Sequence, residues 1–70
     1  MAETLDCLFY RLAPSLYRYA YSIVHHQSEA EEIVQDVFCK LAAKIPEELT
    51  DAYVYRAVRN RSLDALRRLK

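Results

Sequence analysis

Seventy residues, 53% of them apolar, are enough for one small domain with a hydrophobic core. Glycine is absent, and tight β-turns need residues that tolerate positive φ, so the composition favours helices with short connections over a β-rich fold. No stretch approaches the roughly 20 apolar residues of a membrane-spanning helix, and the acidic start MAETLDC does not resemble a signal peptide.

The formal net charge is zero, but its distribution along the chain is uneven. Residues 1–52 hold four basic and nine acidic side chains, a net charge of −5, whereas residues 53–70 hold six basic and one acidic, a net charge of +5. Such asymmetry is typical of a chain with one basic and one polyanionic partner. A bundle whose oppositely charged faces simply balance each other remains an alternative.

The first predicted helix covers about residues 4–25. Pro14 lies inside it, and because proline lacks an amide proton and clashes with the preceding turn, we expect a kink or break near residues 10–14. The helix itself is predicted from an apolar stripe that comprises Leu5, Leu8, Phe9, Leu12, Leu16, Ala20 and Ile23.

The second predicted helix covers about residues 28–44. Ser28 and Glu31 have the spacing of a capping box at its start, and Ile45-Pro46 should end it, because the residue before proline avoids the helical region. Its apolar stripe comprises Ile33, Val34, Val37, Phe38, Leu41 and Ala42.

The third predicted helix covers about residues 51–69, with Thr50 as its N-cap. The inner face should comprise Val54, Ala57, Val58, Ala65, Leu66 and Leu69. The sequence therefore predicts an all-α fold, a small bundle of three to four helices in a single domain over residues 1–70.

An enzyme is not expected from these residues. No glycine is available for a phosphate-binding loop, and neither His25 nor His26 has a metal-ligand partner at helical spacing. Ser62 and Asp64 have no histidine nearby in sequence and are interpreted as polar residues of a helix surface. We therefore expect no small-molecule substrate, cofactor or metal.

The two cysteines form neither a disulfide framework nor a metal-ligand motif. Cys7 and Cys39 fall at apolar or flanking positions of predicted helices, so they are interpreted as small buried thiols of a reducing cytoplasm. A cytoplasmic protein without membrane contact is predicted.

The last helix carries the residue types that bind nucleic acids. Arg56 and Arg59 can share a broad face that Arg61 flanks, and guanidinium groups neutralise phosphates. Asn60 offers both a donor and an acceptor to a base edge, and Tyr53 can present a flat ring for stacking. An ordinary solvated arginine face is the alternative.

The second helix carries a compact acidic face formed by Glu29, Glu32, Gln35 and Asp36. Such a face could receive the arginines of a partner, although most clusters of this kind are simply solvated.

Three stretches of the chain resemble region 2 of the extracytoplasmic-function (ECF) sigma factors, small bacterial initiation factors. They cover most of residues 5–69 and occur in the order found in that family. The stretches are LAPSLYRYAYSIV at 12–24, SEAEEIVQDVFCKLA at 28–42 and AYVYRAVRNRSLDALRR at 52–68.

The resemblance implies two partners for the domain. Core RNA polymerase would be bound through the clamp helices of its β′ subunit, a basic coiled coil, by the helix bearing Glu32, Gln35 and Asp36. The second partner would be the −10 element of promoter DNA, which the domain recognises and melts. An anti-sigma factor is a further candidate partner.

The resemblance also implies roles for the residues of the last helix. Arg56, Arg59 and Arg61 would lie near phosphates, and Asn60 near base edges. Tyr53 takes the place of an aromatic residue beside the point of strand separation.

The link at residues 44–50 corresponds to the segment that receives a base flipped out of the non-template strand. Extruding a base costs a few kcal/mol of stacking free energy, which contacts in the pocket must offset.

The family's second domain, which binds the −35 element, has no counterpart among these residues. We expect the chain to be a fragment of a longer protein, with a naturally shortened relative as the other explanation.

Two alternatives to the sigma-factor interpretation remain open. One is a helical protein-interaction or dimerisation module without direct DNA binding, in which the arginines only confer solubility. The other is a freestanding repressor, which would bind specific duplex DNA without polymerase.

Overall fold

The computed structural model describes residues 4–69, which form three α-helices: α1 (Leu5–Val24), α2 (Gln27–Ala43) and α3 (Asp51–Leu69). Each helix packs against the other two, and this span contains no strand. The predicted all-α bundle is confirmed, with three helices. Glu3 and Lys70, which entered the charge count, lie outside the described residues.

The core is built from one buried stripe on each helix. In α1 the stripe follows every fourth residue from Leu8 to Val24, and α2 and α3 use spacings of three and four. Between α1 and its neighbours, the rings of Phe9 and Phe38 lie 4.8 Å apart and those of Tyr19 and Tyr55 lie 5.5 Å apart. These aromatic pairs add specific contacts to the aliphatic packing.

Side chains cap the starts of α1 and α3. The Thr4 hydroxyl accepts a hydrogen bond from the Cys7 amide at 3.2 Å, and the Thr50 hydroxyl accepts one from the Tyr53 amide at 3.1 Å. Each contact satisfies an amide that has no partner inside its helix. The prediction of Thr50 as an N-cap is confirmed.

The predicted capping box at the start of α2 is wrong. His26 is the N-cap, and its Nδ1 accepts a hydrogen bond from the Glu29 amide at 3.3 Å. The reason lies in the preceding residue, because His25 ends α1 in the left-handed conformation with φ 54° and donates its amide to the Tyr21 carbonyl. The chain therefore turns within two residues, and Ser28 already lies inside the first turn of α2.

Helix α1 continues through Pro14 as one element, so the predicted break does not occur. Because Pro14 has no amide proton, the Tyr10 carbonyl lacks its usual helical donor. Both residues are exposed. Because water can hydrate that carbonyl, the missing hydrogen bond costs less than it would inside the core.

Three residues that the helical pattern predicted to be buried are exposed. Both cysteines, Cys7 and Cys39, are exposed rather than buried. Leu69, assigned to the inner face of α3, is 51% exposed.

No helix within residues 4–69 combines the length and the hydropathy needed to cross a bilayer.

Ser62, interpreted from the sequence as a surface residue, is fully buried on the inner face of α3. Its hydroxyl is the one buried side-chain polar atom without a hydrogen-bond partner among the described residues. A small side chain allows close helix packing at this position, but an unsatisfied buried hydroxyl is destabilising.

We expect Ser62→Ala to raise the free energy of unfolding by about 1 kcal/mol, because it removes the unpaired hydroxyl and keeps the small volume. Urea denaturation followed by circular dichroism would measure the change. Ser22→Ala is the matched control, since the exposed Ser22 hydroxyl donates to the Tyr19 carbonyl and its loss should not stabilise the fold. A Ser62→Ala protein no more stable than the wild type would contradict the prediction.

Candidate nucleic-acid interface

Helix α3 presents a stripe of three predicted interface residues to solvent. Tyr53, Arg56 and Asn60 follow one another at spacings of three and four, so they share one side of the helix. All three are exposed, and the ring-bearing Tyr53 is 41% exposed. The opposite side of α3 is buried in the core. The stripe therefore combines an aromatic ring, a cation and an amide on one accessible surface, here called the α3 stripe.

Arg59 and Arg61 lie on opposite edges of the α3 stripe. Residues two apart in a helix differ in direction by about 200°. Arg59 is exposed and lies one turn after Tyr55, which packs against Tyr19 of α1. Arg61, on the other edge, contacts Asp36 of α2. The five predicted DNA-binding residues thus form a central stripe with one arginine on each flank rather than a single cluster.

Arg61 binds Asp36, an acid that the sequence analysis assigned to the contact with RNA polymerase. Its Nε donates to Oδ2 of Asp36 at 2.8 Å, and Nζ of Lys40 lies 3.4 Å from the same oxygen. The side chains of Arg61 and Asp36 are 22% and 34% exposed. The hydrogen bond from Arg61, together with the positive charge of Lys40, holds the pKa of Asp36 below its ordinary value of 3.8.

A second ion pair joins α1 to the start of α3. The guanidinium of Arg11 binds both carboxylate oxygens of Asp51, at 3.0 and 3.2 Å. This hydrogen bonding lowers the pKa of Asp51. Both side chains are about half exposed, so the pair contributes little to stability but holds the first turn of α3 beside α1.

The second half of α2 and the first turns of α3, as far as Asp64, line a cleft of about 350 Å³. Tyr53 and Asn60 line one wall, and Lys40 and Lys44 line the other. Sequence reasoning missed these two lysines because they belong to the acidic part of the chain. Their spacing of four residues at the C-terminal end of α2 was the available signal, because Lys40 lies in the last turn and Lys44 is the residue that caps the helix.

A second recess lies where the α2–α3 link meets the first turn of α3. It measures about 350 Å³, and Pro46, Glu48, Thr50, Tyr53 and Arg56 contribute to its lining. Tyr53 therefore contributes to the lining of both cavities. A planar group stacked on Tyr53 could extend into either one.

The predicted acidic face of α2 is divided by the packing of the helices. Glu32 and Gln35 are exposed on the outer side of α2, while Asp36 lies at the edge facing α3. Gln35 also borders an apolar groove between α1 and α2, whose rim includes Tyr10 with an exposed fraction of 88%. The outer surface of α2 thus joins polar and apolar groups.

Within residues 4–69 no group of histidine, cysteine or acidic side chains is arranged to hold a metal ion.

The Asp36 ion pair should make stability depend on acid pH. Because the folded-state pKa is lowered from 3.8, the contribution is complete at neutral pH and is lost as the pH falls from about 3.8 through the lower folded-state value. Asp36→Asn should therefore be less stable than the wild type at pH 6, by no more than about 1 kcal/mol for a partly exposed pair, and this difference should be smaller at pH 2.5. Urea denaturation at both pH values would check this, and an equal difference at both would contradict it.

Comparison with known families agrees with this geometry. The model of the family described as sigma-70 region 2 matches residues 8–70, which include nearly all of α1, all of α2 and α3, and every predicted interface residue. Neither a curated protein nor a solved structure matches the chain. The family consists of transcription factor domains that interact with core RNA polymerase and promoter DNA. The chain therefore belongs to the sigma-70 region 2 family and has a sigma factor's role in transcription initiation.

Proposed function

We propose that this domain is region 2 of an ECF-type sigma factor that acts in the cytoplasm. It binds the β′ clamp helices of core RNA polymerase through α2, and it recognises and melts the promoter −10 element through α3. The observation that carries the proposal is the α3 stripe, because an exposed ring, a guanidinium and an amide on one helix face match the chemistry of opened DNA.

The basic side chains of α3 supply affinity without sequence preference. Arg56 and Arg59 are exposed and have room to approach phosphates of the same strand. Each phosphate they neutralise releases a condensed counterion, which makes the binding dependent on salt. Asn60, between the two flanks, can read a base edge with its donor and acceptor.

Tyr53 supplies the contact that favours separated strands. Stacking of a base on an aromatic ring is worth about 1–3 kcal/mol, which is comparable to the cost of unstacking it from the duplex. The recess formed with Pro46 and Thr50 lies next to that ring and gives an unstacked base of the non-template strand a place to enter. The 44–50 link thus acts in holding the opened strand.

The outer surface of α2 supplies the contact with polymerase. Glu32 and Gln35 are exposed there and offer acceptors to the basic residues of a coiled coil. Asp36 extends this surface toward α3. The neighbouring apolar groove supplies contact area that the two polar side chains alone lack.

Substitution of the α3 arginines tests the DNA contact. We expect Arg56→Ala and Arg59→Ala each to weaken binding to a single-stranded oligonucleotide carrying a −10-like sequence. Each should also flatten the slope of log affinity against log salt by about 0.7, the value for one phosphate contact on a single strand. Fluorescence anisotropy over a salt series would measure both effects.

Arg18→Ala is the matched control, because Arg18 is an exposed arginine of α1 whose loss changes the net charge equally. Its slope should stay close to that of the wild type. If all three substitutions behave alike, the α3 arginines are only solvated, and an interaction module without DNA binding becomes the better explanation.

Charge reversal on α2 tests the polymerase contact. We expect Glu32→Lys to reduce capture of the domain by a β′ clamp-helix fragment about tenfold, since it replaces an attraction with a repulsion at the interface. The same reversal in the α2–α3 link, Glu47→Lys, should have little effect because Glu47 lies outside α2 and borders a recess beside the start of α1. A pull-down with circular dichroism of each variant would check capture and folding. Undiminished capture of Glu32→Lys would remove α2 from the interface.

A further inference from the structure

The cleft between α2 and α3, with Tyr53 and Asn60 on one wall, combines an apolar interior with polar groups at its mouth. Its apolar lining comes from Val37 and Leu41, which are buried, and from the half-buried Ala57. Because buried residues lie deeper than exposed ones, these three form the inner part of the cleft. Its volume of about 350 Å³ falls within the range of small-molecule binding sites, about 300–1,000 Å³.

Three polar side chains of this cleft have no partner in the protein. The Asn60 amide, the Tyr53 hydroxyl and the Lys44 ammonium group form no hydrogen bond or ion pair within residues 4–69. All three residues are exposed. They therefore offer a donor and an acceptor, an aromatic ring with a hydroxyl, and a cation to a molecule bound between the two helices.

The two acids that line the cleft are already paired with cations. Oδ2 of Asp36 lies 2.8 Å from Nε of Arg61 and 3.4 Å from Nζ of Lys40. Asp64 pairs with Arg67 at 3.0 Å, one turn further along α3. Their charges are largely compensated, so they do not exclude an anion from the cleft.

Enough cationic groups remain to hold a phosphate. Arg61 engages Asp36 through Nε alone, so its two terminal nitrogens keep their donors. Lys40 is 73% exposed and only weakly restrained by its ion pair within α2, and Lys44 has no ion-pair partner in the described part of the chain. The carbonyl end of a helix repels anions, so the two lysines at the end of α2 are needed to make this position acceptable to a phosphate.

We propose that the cleft between α2 and α3 binds a free purine nucleotide, with the base against Tyr53 and the apolar interior and the phosphate on Lys40 and Lys44. The bound nucleotide and the opened DNA strand compete, because both use Tyr53 and Asn60. The site itself is independent of the proposed function, whereas this competition rests on it.

Shape and charge together favour a free purine nucleotide over other anions. A two-ring base covers more of the apolar interior and of the Tyr53 ring than a pyrimidine does. Asn60 can pair its donor and its acceptor with the edge of a purine. A terminal phosphate carries nearly two negative charges at neutral pH, whereas each phosphate within a DNA strand carries one, so a pair of lysines suits the free nucleotide better.

Titration of the nitrogen-15-labelled chain with nucleotides tests the site directly. Asn60 is the sole asparagine of the sequence, so its side-chain amide gives a single asparagine pair of NMR signals. We expect AMP and GMP at millimolar concentrations to shift those signals and the backbone amides of Leu41 and Ala57. CMP and UMP should bind several-fold more weakly, and so should adenosine and guanosine, which lack the phosphate. Inorganic phosphate alone should leave the Asn60 signals in place.

Substitutions in the cleft test how the nucleotide lies. We expect Lys40→Ala and Lys44→Ala each to weaken AMP binding about two- to fivefold, the effect of one exposed charge contact, and to leave adenosine binding unchanged. Tyr53→Ala should weaken AMP and adenosine alike, by at least about fivefold, because both lose the stacking contact. Arg18→Ala is the matched control, since it removes one positive charge from α1, outside the cleft. Its AMP affinity should change less than that of either lysine variant.

Displacement of DNA tests the competition. Added AMP should lower the affinity of the wild type for the −10-like single-stranded oligonucleotide, and it should do so less in Lys40→Ala. Undiminished oligonucleotide binding with AMP in the cleft would overturn the competition.

Equal shifts from AMP and from inorganic phosphate, or no shift at Asn60 with any nucleotide, would overturn the site and leave an ordinary basic surface. That failure is distinct from failure of the proposed function, because the titration contains no DNA. If Arg56→Ala leaves oligonucleotide binding unchanged, the DNA-binding role of α3 is wrong, whatever the nucleotides do.

Discussion

Burial of one side of α3 is the constraint on which the rest of the molecule depends. Val54, Val58 and Ala65 pack against α1 and α2, and the fixed helical period then places Tyr53, Arg56 and Asn60 on the far side. A substitution that rotated α3 would therefore exchange core and interface together. The proposed DNA-binding surface needs no separate positioning device, because the hydrophobic core orients it.

The second constraint is the ion pair that connects the two charged helices. The sequence separates the charges along the chain, but the fold brings Asp36 of α2 to Arg61 of α3. The acidic helix α2, to which we assign the polymerase contact, and the basic helix α3, to which we assign the DNA contact, therefore share a boundary. Residues on that boundary belong to both surfaces, whereas Glu32 and Arg56 lie clear of it.

Sequence patterns predicted the features that depend on local periodicity and missed those that depend on packing. The three helices and the Thr50 cap follow from spacing within single segments. The burial of Ser62 depends on how closely α3 approaches its neighbours, and the contact of Arg61 depends on a residue 25 positions earlier. The α2 cap was missed because the left-handed His25 allowed a tighter turn than a chain without glycine suggested.

Because the domain is small, the charges on its α2 surface and on its α3 surface interact with one another. Packed helices lie about 8–10 Å apart, and at physiological ionic strength the screening length is about 8 Å. Charges on neighbouring helices therefore still interact, and those that touch, such as Asp36 and Arg61, are screened even less. A larger protein could separate a polymerase surface from a DNA surface by several screening lengths. In three helices the charges of the two proposed surfaces influence one another, so a charged partner on one surface would change the potential at the other.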